Sequence, residues 1–195
     1  KGYSLEALSP DSFQKSVMQE KFKDNVVFHH SQFENFQPQR QFDLILESES
    51  ACYIKMDKGF EKAREVLKEG GYLLVSDYFV YFRDGSKNLH LKSSHDMSEY
   101  LKISEKFGFK LLKQYDQTEN TMLTLDYAKY FMDRFINPTI DYGVYSTKKS
   151  FPRITKMFGS LIKKKWDKKQ KQLDLIDSDI FRKYRKYMIY LFQKK

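Results

Sequence analysis

The chain holds one cysteine, Cys52, in 195 residues. That excludes a disulfide framework and a cysteine-based zinc site, and it fits a reducing cytoplasm. No apolar run is long enough to span a bilayer, and no signal peptide is visible. There is no internal repeat, no low-complexity linker and no GxGxG stretch. The first residue is Lys1 and not Met, which leaves trimming, processing or a fragment open. Aromatic residues, by contrast, are plentiful, which argues against disorder. The length suits one domain, or one domain with an appendage, and is enough to bury a core. Acidic residues are outnumbered, giving a formal charge of +9. That permits anions, nucleic acid or an acidic membrane surface as partners. The excess is concentrated between Lys148 and Lys171, where Asp167 stands almost alone in opposition. The plain reading is a lysine-rich helix face in water.

The organising stretch runs from Phe42 to Asp77. An apolar run, Leu44-Ile45-Leu46, is followed by an acidic turn, Glu47 to Ala51. A helix is expected over Asp57 to Glu69, with Phe60, Ala63, Val66 and Leu67 on one apolar face. Gly70-Gly71 is expected to stop it. A second apolar run, Tyr72 to Val75, then ends at Ser76-Asp77. Strand, helix and strand in this order predict two buried parallel strands joined by a crossover. Ligands of open α/β sheets sit beyond the carboxyl ends of the strands. Glu47, Glu49 and Asp77 fall there.

Upstream, Ser9 is expected to cap a helix from Pro10 to about Phe22, and Asn25 to His30 reads as a short strand. Adjacent His29 and His30 would point to opposite strand faces, so no metal site is expected. Downstream, Asp77 to His95 reads as a long loop with an aromatic cluster. Ser98 to Phe107 reads as a helix, Lys110 to Tyr115 as a strand, and Leu125 to about Ile136 as a helix broken by Asn137-Pro138. Ile154, Met157, Phe158, Leu161 and Ile162 form an apolar stripe beside lysines, read as a cap; a membrane-surface role is not favoured. Tyr187 to Phe192 is a good terminal strand.

The motif Phe42-Asp43-Leu44-Ile45, followed by Leu67-Lys68-Glu69-Gly70-Gly71 and an apolar strand ending in Asp77, resembles the second half of class I S-adenosylmethionine-dependent methyltransferases. The resemblance implies an α/β, Rossmann-like sheet, incomplete at its N-terminal side, with helices on both faces and a helical insertion near the C-terminus. It implies a core over residues 1–124, an insertion over 125–180 and a strand over 181–195 returning to the sheet beside the fifth strand, antiparallel to it. The implied cofactor is S-adenosylmethionine. Glu6, ahead of Ser9-Pro10, takes the place of the acid that binds the ribose hydroxyls. Ser31, Gln32 and Phe33 take the adenine loop, with Ser31 where an Asp is usual. Glu47 and Ser48 would line the methyl-donor side.

On the acceptor side the resemblance places Glu49, Tyr78, Phe79 and His90, with Tyr53 and Asp77 as the catalytic candidates. Tyr53 stands where the family often has a histidine. Tyrosine, with an ordinary pKa near 10, is a poor base at neutral pH, so alignment of an activated donor would supply much of the rate. His95 is a further loop histidine. Loose matches at Thr118, Asn120 and Thr124 point towards a small acceptor. The family's first strand and its glycine-rich loop have no counterpart here, so the sheet is expected to show two raw edges. Omission of an N-terminal segment is the favoured explanation. The expected function is methyl transfer to a small molecule by the intact protein. The alternatives are a non-catalytic partner subunit and a nucleic-acid methyltransferase or binder. A homodimer is left open.

Overall fold

A computed structural model of the protein describes residues 2–81, 95–152 and 176–195. Six strands are present among them: β1 (Glu6–Leu8), β2 (Val27–His29), β3 (Phe42–Ser48), β4 (Leu67–Val80), β5 (Phe109–Asp116) and β6 (Arg185–Lys194). The α-helices are α1 (Ser12–Phe22), α2 (Met56–Val66), α3 (Met97–Lys106), α4 (Thr118–Phe131), α5 (Asn137–Ser150) and α6 (Ser178–Tyr184). The α/β class is as expected. The strands form two sheets: a parallel pair, β1-β2, and a four-stranded sheet in the order β3-β4-β6-β5. The expected parallel pairing of β3 and β4 is present, joined by α2. β6 lies between β4 and β5. It runs antiparallel to β5, since Lys195 bonds Gly108 at one end and Gln117 bonds Tyr187 at the other.

The chain divides into two compact units. One comprises Lys1–Tyr78, Ser94–Tyr115 and Met188–Lys195; the other comprises Phe79–Ser93 and Asp116–Tyr187. The first unit has an aromatic core. Phe60 of α2 is 2% exposed and sits 4.8 Å from Tyr100, 5.6 Å from Phe109 and 5.9 Å from Phe192, centroid to centroid. The amphipathic pattern of α2 explains this, because Phe60, Ala63 and Val66 all face inwards. The opposite face of β3 is open, with Leu44 and Leu46 exposed.

The second unit is held by polar contacts around the start of α4. Asp116 accepts from the Thr118 backbone and hydroxyl and from Lys186. The same hydroxyl accepts from the Tyr187 backbone.

Several local expectations change. α1 is capped by Asp11, whose carboxylate accepts from the Gln14 backbone, and not by Ser9. α2 ends at Val66, and Leu67 already begins β4, so Gly70-Gly71 does not stop the helix. The glycines lie instead at an irregularity in the β3–β4 register: Phe42 faces Leu67 but Leu44 faces Tyr72. Gly70 adopts φ +74, and a Cβ on Gly71 would lie 2.9 Å from the Lys68 carbonyl and 3.3 Å from that of Asp43. β4 also continues past Asp77 to Val80, so the expected loop begins later and Phe79 is a buried strand residue. Asn137-Pro138 does not break the helical run. A π-helical turn, Met132–Ile136, leads into it, and Pro138 sits in the first turn of α5. The lysine-rich stripe from Ile154 to Ile162 lies outside the described residues.

Replacing Phe60 by Ala should remove the centre of the aromatic core and cost about 3–5 kcal/mol. Urea denaturation of the two proteins would measure this, and a loss below about 1 kcal/mol would refute the central role of this ring.

Candidate active site

The parallel pair β3–β4 sets the site. Glu47 is in register with Val75 and Ser48 with Ser76. Side chains alternate along a strand, so Glu47 and Asp77 share one face and Ser48 takes the other. At the end of β3 the chain turns sharply: Glu49 adopts φ +50, and its N–H donates to the Ser76 carbonyl at 2.8 Å. A short 3-10 turn follows, Ala51–Tyr53. Ala51 and Cys52 are buried, whereas Tyr53 is 76% exposed.

Three side-chain contacts hold that turn. Asp77 accepts from the Cys52 backbone N–H at 2.9 Å, while its other oxygen accepts from the Tyr78 N–H at 2.8 Å. The Nε2 of His95 lies 2.8 Å from the carbonyl oxygens of both Ala51 and Ile54. The His95 ring stacks on Tyr100, with centroids 5.7 Å apart and planes 16° apart.

Beneath the turn is a small pocket lined by Glu47, Ala51, Ile54, Gly59, Phe60 and Tyr100, among others, with room for about one water molecule. Glu47 is 8% exposed there. Burial pushes its carboxyl up to about 7, helped by the negative charges of Asp77 and Glu34. Burial likewise raises the Asp77 carboxyl, against the two backbone N–H bonds that favour its charged form. Burial pushes the Cys52 thiol up to about 11, and it raises the Tyr100 hydroxyl beside Glu47 and Asp77. The turn therefore rests on a buried acidic cluster in an otherwise basic protein.

The remaining expected residues are distributed as follows. Glu6 opens β1 and does not follow it. Its carboxylate accepts from His29 at 2.6 Å and from Arg40 at 2.8 Å. Burial opposes these bonds, but they hold the Glu6 carboxyl below its usual range. The acid of the resemblance follows a strand, whereas Glu6 is the first residue of β1, in register with Val27. Ser31, Gln32 and Phe33 do follow the end of β2. The Ser31 hydroxyl donates to the Gln32 carbonyl, and the Gln32 side chain accepts from Asn35. Glu47 is a buried residue of the pocket beneath the turn. Ser48, Glu49 and Tyr53 are exposed at the end of β3, with Tyr78 half-buried on β4. His90 lies outside the described residues.

Sequence reasoning passed over Tyr100 and the clamping role of His95. A signal existed: Asp96 caps α3 by accepting from Ser98 and Glu99, so the Asp-x-Ser-Glu pattern fixes His95 just outside the helix. Among the described residues no group of side chains is placed to hold a metal ion, and no helix is long and apolar enough to cross a membrane.

Glu47 makes stability depend on pH. Its carboxyl is raised from an ordinary 4.5 to about 7, so between those values the folded chain keeps a proton that the unfolded chain has lost. Stability must then fall as pH rises through that window, by at most about 3 kcal/mol. Glu47→Gln should flatten this part of the profile and be more stable than the parent at pH 8 by roughly 1–3 kcal/mol. Denaturant midpoints measured from pH 4 to 8 decide it; parallel profiles would show that Glu47 ionises freely.

The sequence matches the family described as "Methyltransferase domain" over residues 9–133. No curated protein matches it. Among solved structures it is similar to a Galdieria sulphuraria protein assigned as a sarcosine dimethylglycine methyltransferase. There the TM-score is 0.69 and the identity 15%, over 100% of this chain and 71% of that one. It is also similar to a cyclopropane synthase from Mycobacterium tuberculosis (0.66, 13%, over 97% and 69%). A third similar structure is the phosphoethanolamine N-methyltransferase 2 of Haemonchus contortus, in complex with S-adenosylmethionine (0.64, 16%, over 99% and 44%). The chain thus spans between 44% and 71% of the length of these proteins. With the family match covering most of its length and the fold shared with these structures, the chain belongs to the class I S-adenosylmethionine-dependent methyltransferases.

Proposed function

We propose that the protein transfers a methyl group to the nucleophilic O, N or C atom of a small molecule. The observation that carries this reading is the turn after β3, which presents Glu49, Ser50 and Tyr53 at the carboxyl end of the parallel pair, where α/β folds bind ligands. The sarcosine and phosphoethanolamine enzymes among the similar structures support a small acceptor.

S-adenosylmethionine supplies a methyl group already activated on a sulfonium, so the protein's task is alignment and exclusion of water. The fit of this chain's residues to that cofactor is uneven. The loop Ser31–Phe33 and Ser48 lie at the carboxyl ends of β2 and β3 and suit it. Glu47 is buried along the small pocket beneath the turn and suits it less. Glu6 accepts from His29 on one oxygen and from Arg40 on the other, and its remaining lone pairs leave it able to accept from a ribose diol as well. We therefore assign the cofactor's adenine edge to Ser31, Gln32 and Phe33 and the methyl-donor side to Ser48. Glu49, Tyr53 and Tyr78 are assigned to the acceptor. Tyr53 is suited to hydrogen-bond an acceptor and poorly suited to deprotonate one. The core of residues 1–124 with a cap over 125–180 remains our reading of the organisation. A cytoplasmic setting suits the lone buried Cys52.

The test is calorimetric titration of S-adenosylhomocysteine into the protein expressed from its full native reading frame. Micromolar binding, about −7 to −8 kcal/mol, is expected. Phe33→Ala should weaken it by roughly three- to tenfold, and Tyr53→Phe should leave it unchanged while lowering methyl transfer to an amine and phenol panel. Absence of binding would overturn the enzymatic reading.

A further inference from the structure

We propose that His95 is a positioning residue: it fixes the Ala51–Tyr53 turn through its two carbonyl contacts and so sets where Tyr53 stands. Both partners of Nε2, the Ala51 and Ile54 oxygens, are carbonyls that can only accept. Nε2 therefore carries the hydrogen, shared between two acceptors at 2.8 Å each. The ring cannot swing away easily. One face stacks on Tyr100, which is 3% exposed and itself packed on Phe60. From the other side Asp77 takes the Cys52 N–H. A turn of three residues is thus gripped at both edges by side chains distant in sequence, Asp77 of β4 and His95 just ahead of α3. The grip buries Ala51 and Cys52 and leaves Tyr53 outermost. A histidine just ahead of a helix would ordinarily face solvent; this one spends its donor on the backbone of the turn.

The geometric part stands by itself, whereas the consequence for turnover rests on the reading that Tyr53 borders the acceptor. Two substitutions in the full-length protein test both. Cys52 is the reporter, because it is the buried thiol of the turn. Its alkylation by iodoacetamide, followed by mass spectrometry at that residue, measures how often the turn opens. His95→Ala should speed the labelling by roughly five- to tenfold, the effect of losing a net hydrogen bond. His95→Gln, whose amide N–H can reach the same carbonyls, should restore most of the protection. Gly71→Ala, which strains the far end of the β3–β4 pair, serves as a control of comparable stability loss and should leave Cys52 protected.

Equal labelling of His95→Ala and the parent, or of His95→Ala and Gly71→Ala, would overturn the proposal. So would a long-range ¹H–¹⁵N spectrum showing the hydrogen of a neutral His95 on Nδ1. Affinity for S-adenosylhomocysteine should be unchanged in His95→Ala, with the loss confined to transfer. If S-adenosylhomocysteine fails to bind the parent while His95 still protects Cys52, the enzymatic reading falls and the clamp stands.

Discussion

The bond from the Cys52 backbone N–H to Asp77 is the constraint on which the site depends. Asp77 is almost wholly buried, and a buried carboxylate persists only where donors meet it. Two of these donors are backbone N–H groups, one on its own strand and one on the turn after β3. The acid therefore ties the loop of one parallel strand to the body of the next. Removing it would take the acceptor from the buried Cys52 N–H, a larger penalty than the loss of one surface hydrogen bond. Everything beyond the end of β3, from the sharp φ of Glu49 to the exposure of Tyr53, is set by where that turn is pinned.

Glu47 shows the reverse case. It shares its strand face with Asp77, but among the described residues no hydrogen bond or ion pair reaches its carboxyl, and its neighbours include the negative charges of Asp77 and Glu34. The cheapest solution is to keep a proton. Two acids on one face thus divide their roles by environment: Asp77 uses its oxygens as acceptors, while Glu47 sits on the edge of ionisation at neutral pH. That places a charge-sensitive element directly below the turn that His95 and Asp77 hold, so the net charge of the pocket bears on how firmly the turn is seated.

The β3–α2–β4 unit was legible because its signals are of low order. Apolar runs of strand length, a helix-period face on α2 and carboxylates after β3 all act locally. The places that misread are those where a distant partner decides. Gly70-Gly71 looked like a helix stop because glycine permits positive φ anywhere; it is the register of β4 against β3 that calls for that freedom. Glu6 looked like a strand-end acid, but a three-residue strand offers too few positions to fix its frame, and the pairing of Glu6 with Val27 does so instead. Asn137-Pro138 looked like a break, yet a proline in a first helical turn costs no hydrogen bond, and the π-helical turn before it lets the axis continue. His95 carried the least signal of all, since only the tertiary approach of α3 to the turn gives it acceptors.

The substitution of Tyr53 where relatives by resemblance often carry histidine acquires meaning from this arrangement. A histidine there could orient an acceptor and also take its proton. A tyrosine keeps the first task and gives up most of the second. Orientation by a single exposed ring is effective only if the ring's own backbone is held, because each ångström of wander erodes the alignment on which displacement at an activated methyl group depends. The sequence loses a base at the tip of the turn, and the structure places a buried acceptor, Asp77, and a half-buried donor, His95, at its root. A site that relies on alignment more than on proton transfer needs that rigidity, and the buried aromatic and acidic bed formed by Phe60, Tyr100, Glu47 and Asp77 is the part of the chain that provides it.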